Sequence, residues 1–137
     1  MSHPRMFDDH DLLLVRVRGL ALAFPEVAEK VSHGRPAFFT TKIFAYFGGS
    51  EKVEGEWVQH PACVLVLPDD VDRRSLLDQD DGRVFVPAYL GPAGWLGVQL
   101  PTARAAKRHW VEITELLDAS YRRTAGRRLV AQLDVTG

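Results

Sequence analysis

Cys63 and His60 stand three residues apart, and a thiol beside an imidazole is the smallest unit of nucleophilic catalysis. On one extended strand an odd separation sends two side chains to opposite faces. That spacing argues against a Cys–His pair and reads Cys63 as a buried strand cysteine. The histidines are His3, His10, His33, His60 and His109. No two are four apart, as a helical zinc site needs, and there is no HExxH. A single cysteine excludes a multi-cysteine zinc site and an intramolecular disulfide. In the acidic run Asp78-Gln79-Asp80-Asp81-Gly82, a calcium loop with Gly82 at its sixth position would begin at Leu77 and end at Ala88. Neither side chain can bind the ion. Gly91, Gly94 and Gly97 do not form GxGxxG, and neither a Walker loop nor a GxSxG elbow occurs. No catalytic, metal or cofactor motif is present, so the expectation is a non-enzymatic binding protein without a cofactor.

Two other groups of residues could bind rather than catalyse. The formal net charge is −1, yet it is unevenly spread. From Leu100 onward seven cations (Arg104, Lys107, Arg108, Arg122, Arg123, Arg127, Arg128) stand against four acids (Glu112, Glu115, Asp118, Asp134). Lys107, Arg108, Arg122, Arg123, Arg127 and Arg128, with Arg35, are candidates for contact with nucleic-acid phosphates. Cations at a helix C-terminus also suit its negative dipole end, which is a purely structural use. The second group is His33, Tyr46, Trp57, Tyr89 and Trp95, a candidate surface for a protein or small ligand, each aromatic being core or rim.

The chain has 137 residues, 46% hydrophobic and 26% charged, ordinary proportions for one globular domain spanning 1–137. No apolar run reaches the ~18–20 residues of a membrane span. The N-terminal residues are too polar for a signal peptide, so the expected setting is the cytosol, away from membranes.

The elements that must position these residues follow from periodicity. Asp8 and Asp9 precede a helix over about 8–23, with Leu13, Val17, Leu20 and Phe24 as its stripe and Pro25 as its stop. Extended segments follow at Glu29–His33, Ala37–Thr40 and Lys42–Phe47, with a turn at Gly34-Arg35-Pro36. Gly48-Gly49-Ser50 reads as a break, and the charged stretch 51–60 as a loop or ragged edge hairpin. Ala62–Leu67 reads as a strand buried on both faces. A helix over about 70–80, an extended piece from Val84, a turn at 91–94 and a strand from Trp95 to Leu100 come next. A last helix covers about 103–124, its stripe being Ala106, Trp110, Ile113, Leu117 and Tyr121. The order α-β(3)-α-β(2)-α predicts a two-layer α+β domain with an antiparallel sheet of about five strands. The first and last helices should pack on one face.

Three segments, in this order, carry a resemblance. They are Phe24-Pro25-Glu26-Val27 with Ser32-His33-Gly34-Arg35-Pro36-Ala37-Phe38 and Lys42-Ile43-Phe44-Ala45; Val86 to Val98; and Ala119 to Leu129. Together they resemble the MmcQ/YjbR-like family of small bacterial proteins over nearly the whole chain. The resemblance implies an α-β(3)-α-β(2)-α fold, compared in shape with CyaY and with secretion chaperones. It also implies a DNA-binding label, given by analogy with a double-wing domain. One departure is Gly126-Arg127, where family members often carry proline and lysine; the charge is kept and the backbone is looser.

Two functional expectations result. One is a weak, sequence-tolerant DNA-binding module that uses the C-terminal cations. The other is an adaptor domain that takes a protein or small ligand on its open sheet face.

Overall fold

The structure, a computed structural model, describes residues 5–79, 82–102 and 107–136. His3, Asp80, Asp81, Arg104 and Ala106, singled out in the sequence, lie outside the described residues.

The first helix, α1, spans Leu12–Leu22, and its N-cap is Asp11, whose carboxylate accepts from the Leu13 N–H at 2.9 Å. Asp8 closes the preceding turn instead, accepting from the His10 N–H. The buried positions are Leu14, Val17 and Ala21, with Leu13 and Leu20 only partly covered, so the stripe sits about one residue from its expected place. Arg18 leaves this helix to grip Glu29 through Nε and Nη2, at 2.6 and 2.8 Å.

One six-stranded sheet, antiparallel throughout, forms the second layer. Its strands are β1 (Ala28–Ser32), β2 (Arg35–Phe39), β3 (Ile43–Val53), β4 (Glu56–Val66), β5 (Val84–Phe85) and β6 (Leu96–Gln99). Their spatial order is β1-β2-β3-β4-β6-β5. Four strands, not three, precede the second helix, and the sheet has one strand more than expected. The four correspond to the extended segments at 29–33, 37–40, 42–47 and 62–67, which the expected order counts as three; the 51–60 segment adds no strand but lengthens β3 and β4, pairing residue by residue from Gly49↔His60 to Val53↔Glu56. Glu54 and Gly55 turn the hairpin with φ of 50° and 82°, as the two-residue primed turns require. His33 and Gly34, at 54° and 81°, do the same between β1 and β2. A bulge sets residues 61–63 of β4 against Gly48 of β3, which accommodates Pro61 inside a strand.

The helices α2 (Asp70–Gln79), α3 (Lys107–Thr124) and α4 (Arg127–Thr136) complete the chain, with one 3-10 turn at Gly91–Ala93. The helix α4 was not expected; Gly126 interrupts α3, after which Leu129 packs into the core with Leu133 beside it. As expected, α1 and α3 cover one sheet face. Phe38, Phe44, Val64, Val66 and Val98 meet Leu14, Val17, Trp110, Ile113, Leu117 and Tyr121 there. Trp110 is buried, and the Arg16 guanidinium lies over its ring at 4.2 Å.

Two residues of the third family-like segment lock this layer. The fully buried Ser120 hydroxyl donates to the Phe44 carbonyl at 2.6 Å and accepts from the Leu67 N–H at 2.9 Å. Tyr121 stacks on Phe24 with ring centroids 5.0 Å apart, and its hydroxyl donates to the Pro25 carbonyl at 2.8 Å.

Candidate functional site

Strand alternation sends a second set of side chains to the face that α1 and α3 leave uncovered. Ala37, Tyr46, Cys63, Leu65, Phe85 and Trp95 form a small core there. Trp95 meets Tyr46 edge-on at 5.5 Å. The Phe85 ring lies against Gly97, where any Cβ would overlap it. The segment 86–90 leaves β5 and lies along the sheet, tied to β3 by the Ala88 N–H bonding to the Ser50 carbonyl at 2.9 Å. Between this segment, the β3–β4 hairpin and the β1–β2 turn opens a cleft of about 730 Å³. His33, Arg35, Tyr46, Trp57 and Tyr89 all line it, and Trp95 stands behind Tyr46. Four of the five residues of the expected ligand surface thus come together at the cleft, and the fifth supports it.

Arg35 is the cation of this site, and topology separates it from the C-terminal cations with which charge alone had grouped it. It opens β2 directly after the His33–Gly34 turn and is only 9% exposed. Its Nη2 donates to Gln59 Oε1 at 2.7 Å. The guanidinium passes against the backbone of Gly48, where a side chain would collide with it. Among the described residues no carboxylate pairs with Arg35, and none lines the cleft. Burial lowers the guanidinium pKa, yet an arginine remains charged at neutral pH. Its neighbour Cys63 gives no compensating charge, because burial pushes that thiol up to about 12 against the opposing pull of Arg35. Gln59 and Gly48 were not foreseen as site residues; the paired glycines 48 and 49 were the available signal.

The rim is aromatic. Tyr89 is 85% exposed and Trp57 47%, and their ring centroids are 5.8 Å apart. Tyr89 holds φ at 66°, a left-handed conformation that costs a bulky residue on the order of 1–2 kcal/mol. Lys52 sets its ammonium 5.2 Å from the Trp57 centroid.

His60 is committed elsewhere. Its Nε2 faces Glu51 Oε1 at 2.9 Å, its Nδ1 faces Gln99 Nε2 at 2.7 Å, and its ring stacks on Phe85 at 4.0 Å. With Nδ1 accepting from the amide, Nε2–H donates to the carboxylate, and the three side chains tie β3, β4 and β6 together. The Cys63 thiol donates to the main-chain carbonyl of His60 at 3.4 Å rather than to its ring.

The C-terminal cations do not form one patch. Lys107 and Arg108 are exposed at one end of α3, and Arg122 and Arg123 lie roughly 22 Å further along at ~1.5 Å per residue. Arg122 is held by Asp118 at 2.6 Å and Asp134 at 2.8 Å, and its pKa is raised by Asp134 and then Asp118. Arg128 pairs with Glu26 at 2.8 Å, and Arg123 donates to the Pro68 carbonyl. Arg127 is exposed. Arg35 faces the other side of the sheet.

A family model described as YjbR matches residues 22–123, a stretch running from the last residue of α1 through all six strands to the last turn of α3. No curated protein and no solved structure matches the chain.

Proposed function

The chain belongs to the YjbR family, and we propose that it works as a non-enzymatic binding module whose ligand seats in the cleft of the open sheet face. The observation that carries this reading is Arg35, a buried cation lining a largely apolar cleft with no carboxylate among the described residues of its walls. Folded proteins seldom bury a charge without a partner. An unmatched charge beside an aromatic rim is the pattern of a site that completes itself with a ligand. A binding role rather than catalysis is supported by His60, which is engaged through both ring nitrogens, and by Cys63, whose thiol is buried.

The DNA reading has less to stand on, since acids engage Arg122 and Arg128 and the remaining C-terminal cations are spread from the start of α3 to the start of α4. A titration with the uncharged apolar dye Nile red tests the cleft reading. Dye should bind wild type and bind the Trp57→Ala/Tyr89→Ala variant several-fold more weakly. Equal dye binding by both proteins, with a labelled DNA duplex bound at low salt and lost on replacing Lys107 and Arg127 by glutamine, overturns it.

A further inference from the structure

We propose that the cleft takes a small aromatic monocarboxylate, its carboxylate on the Arg35 guanidinium and its ring against the Trp57 and Tyr89 side chains. The proposal rests on the cleft being the binding site and assigns the class of ligand.

Charge count comes first. Among the described residues that line the cleft, Arg35 is the one permanent cation, and neither Asp nor Glu is among them. A monoanion balances that charge. A phosphate dianion would leave about half of its charge unmatched by Arg35 and would still have to give up water to enter, which is costly. The shape of the cation agrees, because a planar guanidinium fork matches the two oxygens of a carboxylate, whereas an ammonium is a point charge.

Preorganisation comes second. Gln59 holds Nη2 and the backbone of Gly48 walls the guanidinium on one side, so little side-chain freedom is left to lose on binding. The fold has already taken much of this cation out of water, which lowers a cost that a surface arginine would meet on pairing.

The ligand body follows from the remaining walls. Tyr46, Leu65, Pro87 and Leu90 are apolar surface, and the cleft volume of about 730 Å³ suits a small molecule. The exposed Trp57 and Tyr89 rings lie 5.8 Å apart with their planes tilted by 38°, and they offer aromatic surface against which another ring can pack.

A matched series on the wild-type protein needs no variant to fold. Binding of 3-phenylpropanoate, 3-phenylpropanamide and 2-phenylethylphosphonate is followed by ¹H–¹⁵N chemical-shift perturbation up to ~5 mM, the range in which fragments this small bind. The carboxylate should bind about tenfold or more tightly than the amide, and at least as tightly as the phosphonate. Arg35→Gln, if its spectrum shows it folded, should bring carboxylate and amide to equal affinity. Equal binding of amide and carboxylate to wild type overturns the proposal while leaving the cleft reading intact, as does no binding of the series by a protein that still binds Nile red. Tenfold tighter phosphonate binding replaces the monoanion by a phosphate-type ligand. Tenfold tighter binding of the free-acid peptide Gly-Gly-Ala-Phe overturns the small-molecule assignment in favour of a protein C-terminus. Failure of both the series and Nile red removes the cleft reading itself.

Discussion

The guanidinium of Arg35 lies so close to the backbone of Gly48 that a methyl group at residue 48 would overlap it. Gly48 also holds φ at 83°, which a side chain resists. The bulge in the β3–β4 pair is therefore where a buried cation is given room, and it links sheet geometry to the cleft.

Gly48→Ala should accordingly carry two costs. Gly55, with φ of 82° and open space around it, isolates the conformational one. Gly55→Ala is expected to lose about 1 kcal/mol of stability. Gly48→Ala should lose a further ~1–2 kcal/mol, because the guanidinium must swing off Gln59 and give up a charged hydrogen bond. In an Arg35→Gln background that extra loss should vanish. Urea unfolding of wild type, the two alanine variants, Arg35→Gln and Arg35→Gln/Gly48→Ala measures it, and equal losses for the two alanine variants in the native background would show that the close approach carries no energy.

Ser120 and Tyr121 give a second comparison. Ser120→Ala leaves the Leu67 N–H and the Phe44 carbonyl without their side-chain partner in the dry interior. The expected cost is about 2–3 kcal/mol. Tyr121→Phe removes one bond, to the Pro25 carbonyl, while keeping the stacked ring, and should cost about 1 kcal/mol. A larger loss for the tyrosine change than for the serine change, in denaturant melts, would contradict this ranking.

Cys63 predicts a pH dependence. Burial raises its thiol from 9.0 to about 12 in the folded protein. Above about pH 9 the unfolded chain releases this proton and the folded chain keeps it, so stability is intact below 9 and falls as pH rises toward 12. The slope approaches ~1.4 kcal/mol per pH unit. Lysines and tyrosines titrate in the same range, so the measurement is the difference between wild type and Cys63→Ala. That difference should shift against wild type by about 1–2 kcal/mol between pH 8 and pH 10.5. A constant difference across the range would show that the thiol ionises as readily in the fold as outside it.

The layout of the domain was legible where local chemistry and period agree. Pro25 stops α1 and the α3 stripe from Trp110 to Tyr121 is the buried one, whereas the turn expected at Gly34-Arg35-Pro36 falls one residue earlier, at His33-Gly34, and Arg35 and Pro36 pair within β2. The hairpin tip was hidden because charges occupy both of its strands near the turn, so no apolar alternation marks it, although Glu54-Gly55 is a primed-turn dipeptide. Gly48-Gly49 looks like a strand break in one dimension and is a bulge making room for a cation in three. The aromatic half of the site was readable by residue type. Its cation, Arg35, was named but grouped with the C-terminal cations, because Arg35 differs from Arg122 only in what the sheet places around it. The pairing of Arg122 with Asp134 depends on α4, a helix that Gly126 concealed.

That pairing makes the last prediction, which concerns nucleic acid. Each phosphate neutralised by a free cation steepens the fall of log affinity with log salt by about 0.9. In this protein Arg122 answers to Asp118 and Asp134, and Arg128 to Glu26, so neither enters such a contact without first giving up a carboxylate. A labelled duplex titrated from ~20 to ~200 mM salt should therefore give a slope no steeper than about −2 with wild type. The variant Glu26→Gln/Asp118→Asn/Asp134→Asn releases both arginines while leaving the core untouched. Its slope should be steeper by about 2 and its affinity at low salt correspondingly higher. Surface ion pairs contribute little to folding, so its stability should stay within ~1 kcal/mol per pair of wild type. A wild-type slope near −4, unchanged in the variant, would mean that the carboxylates do not restrain the arginines, and the C-terminal cations would then form a working phosphate-binding surface.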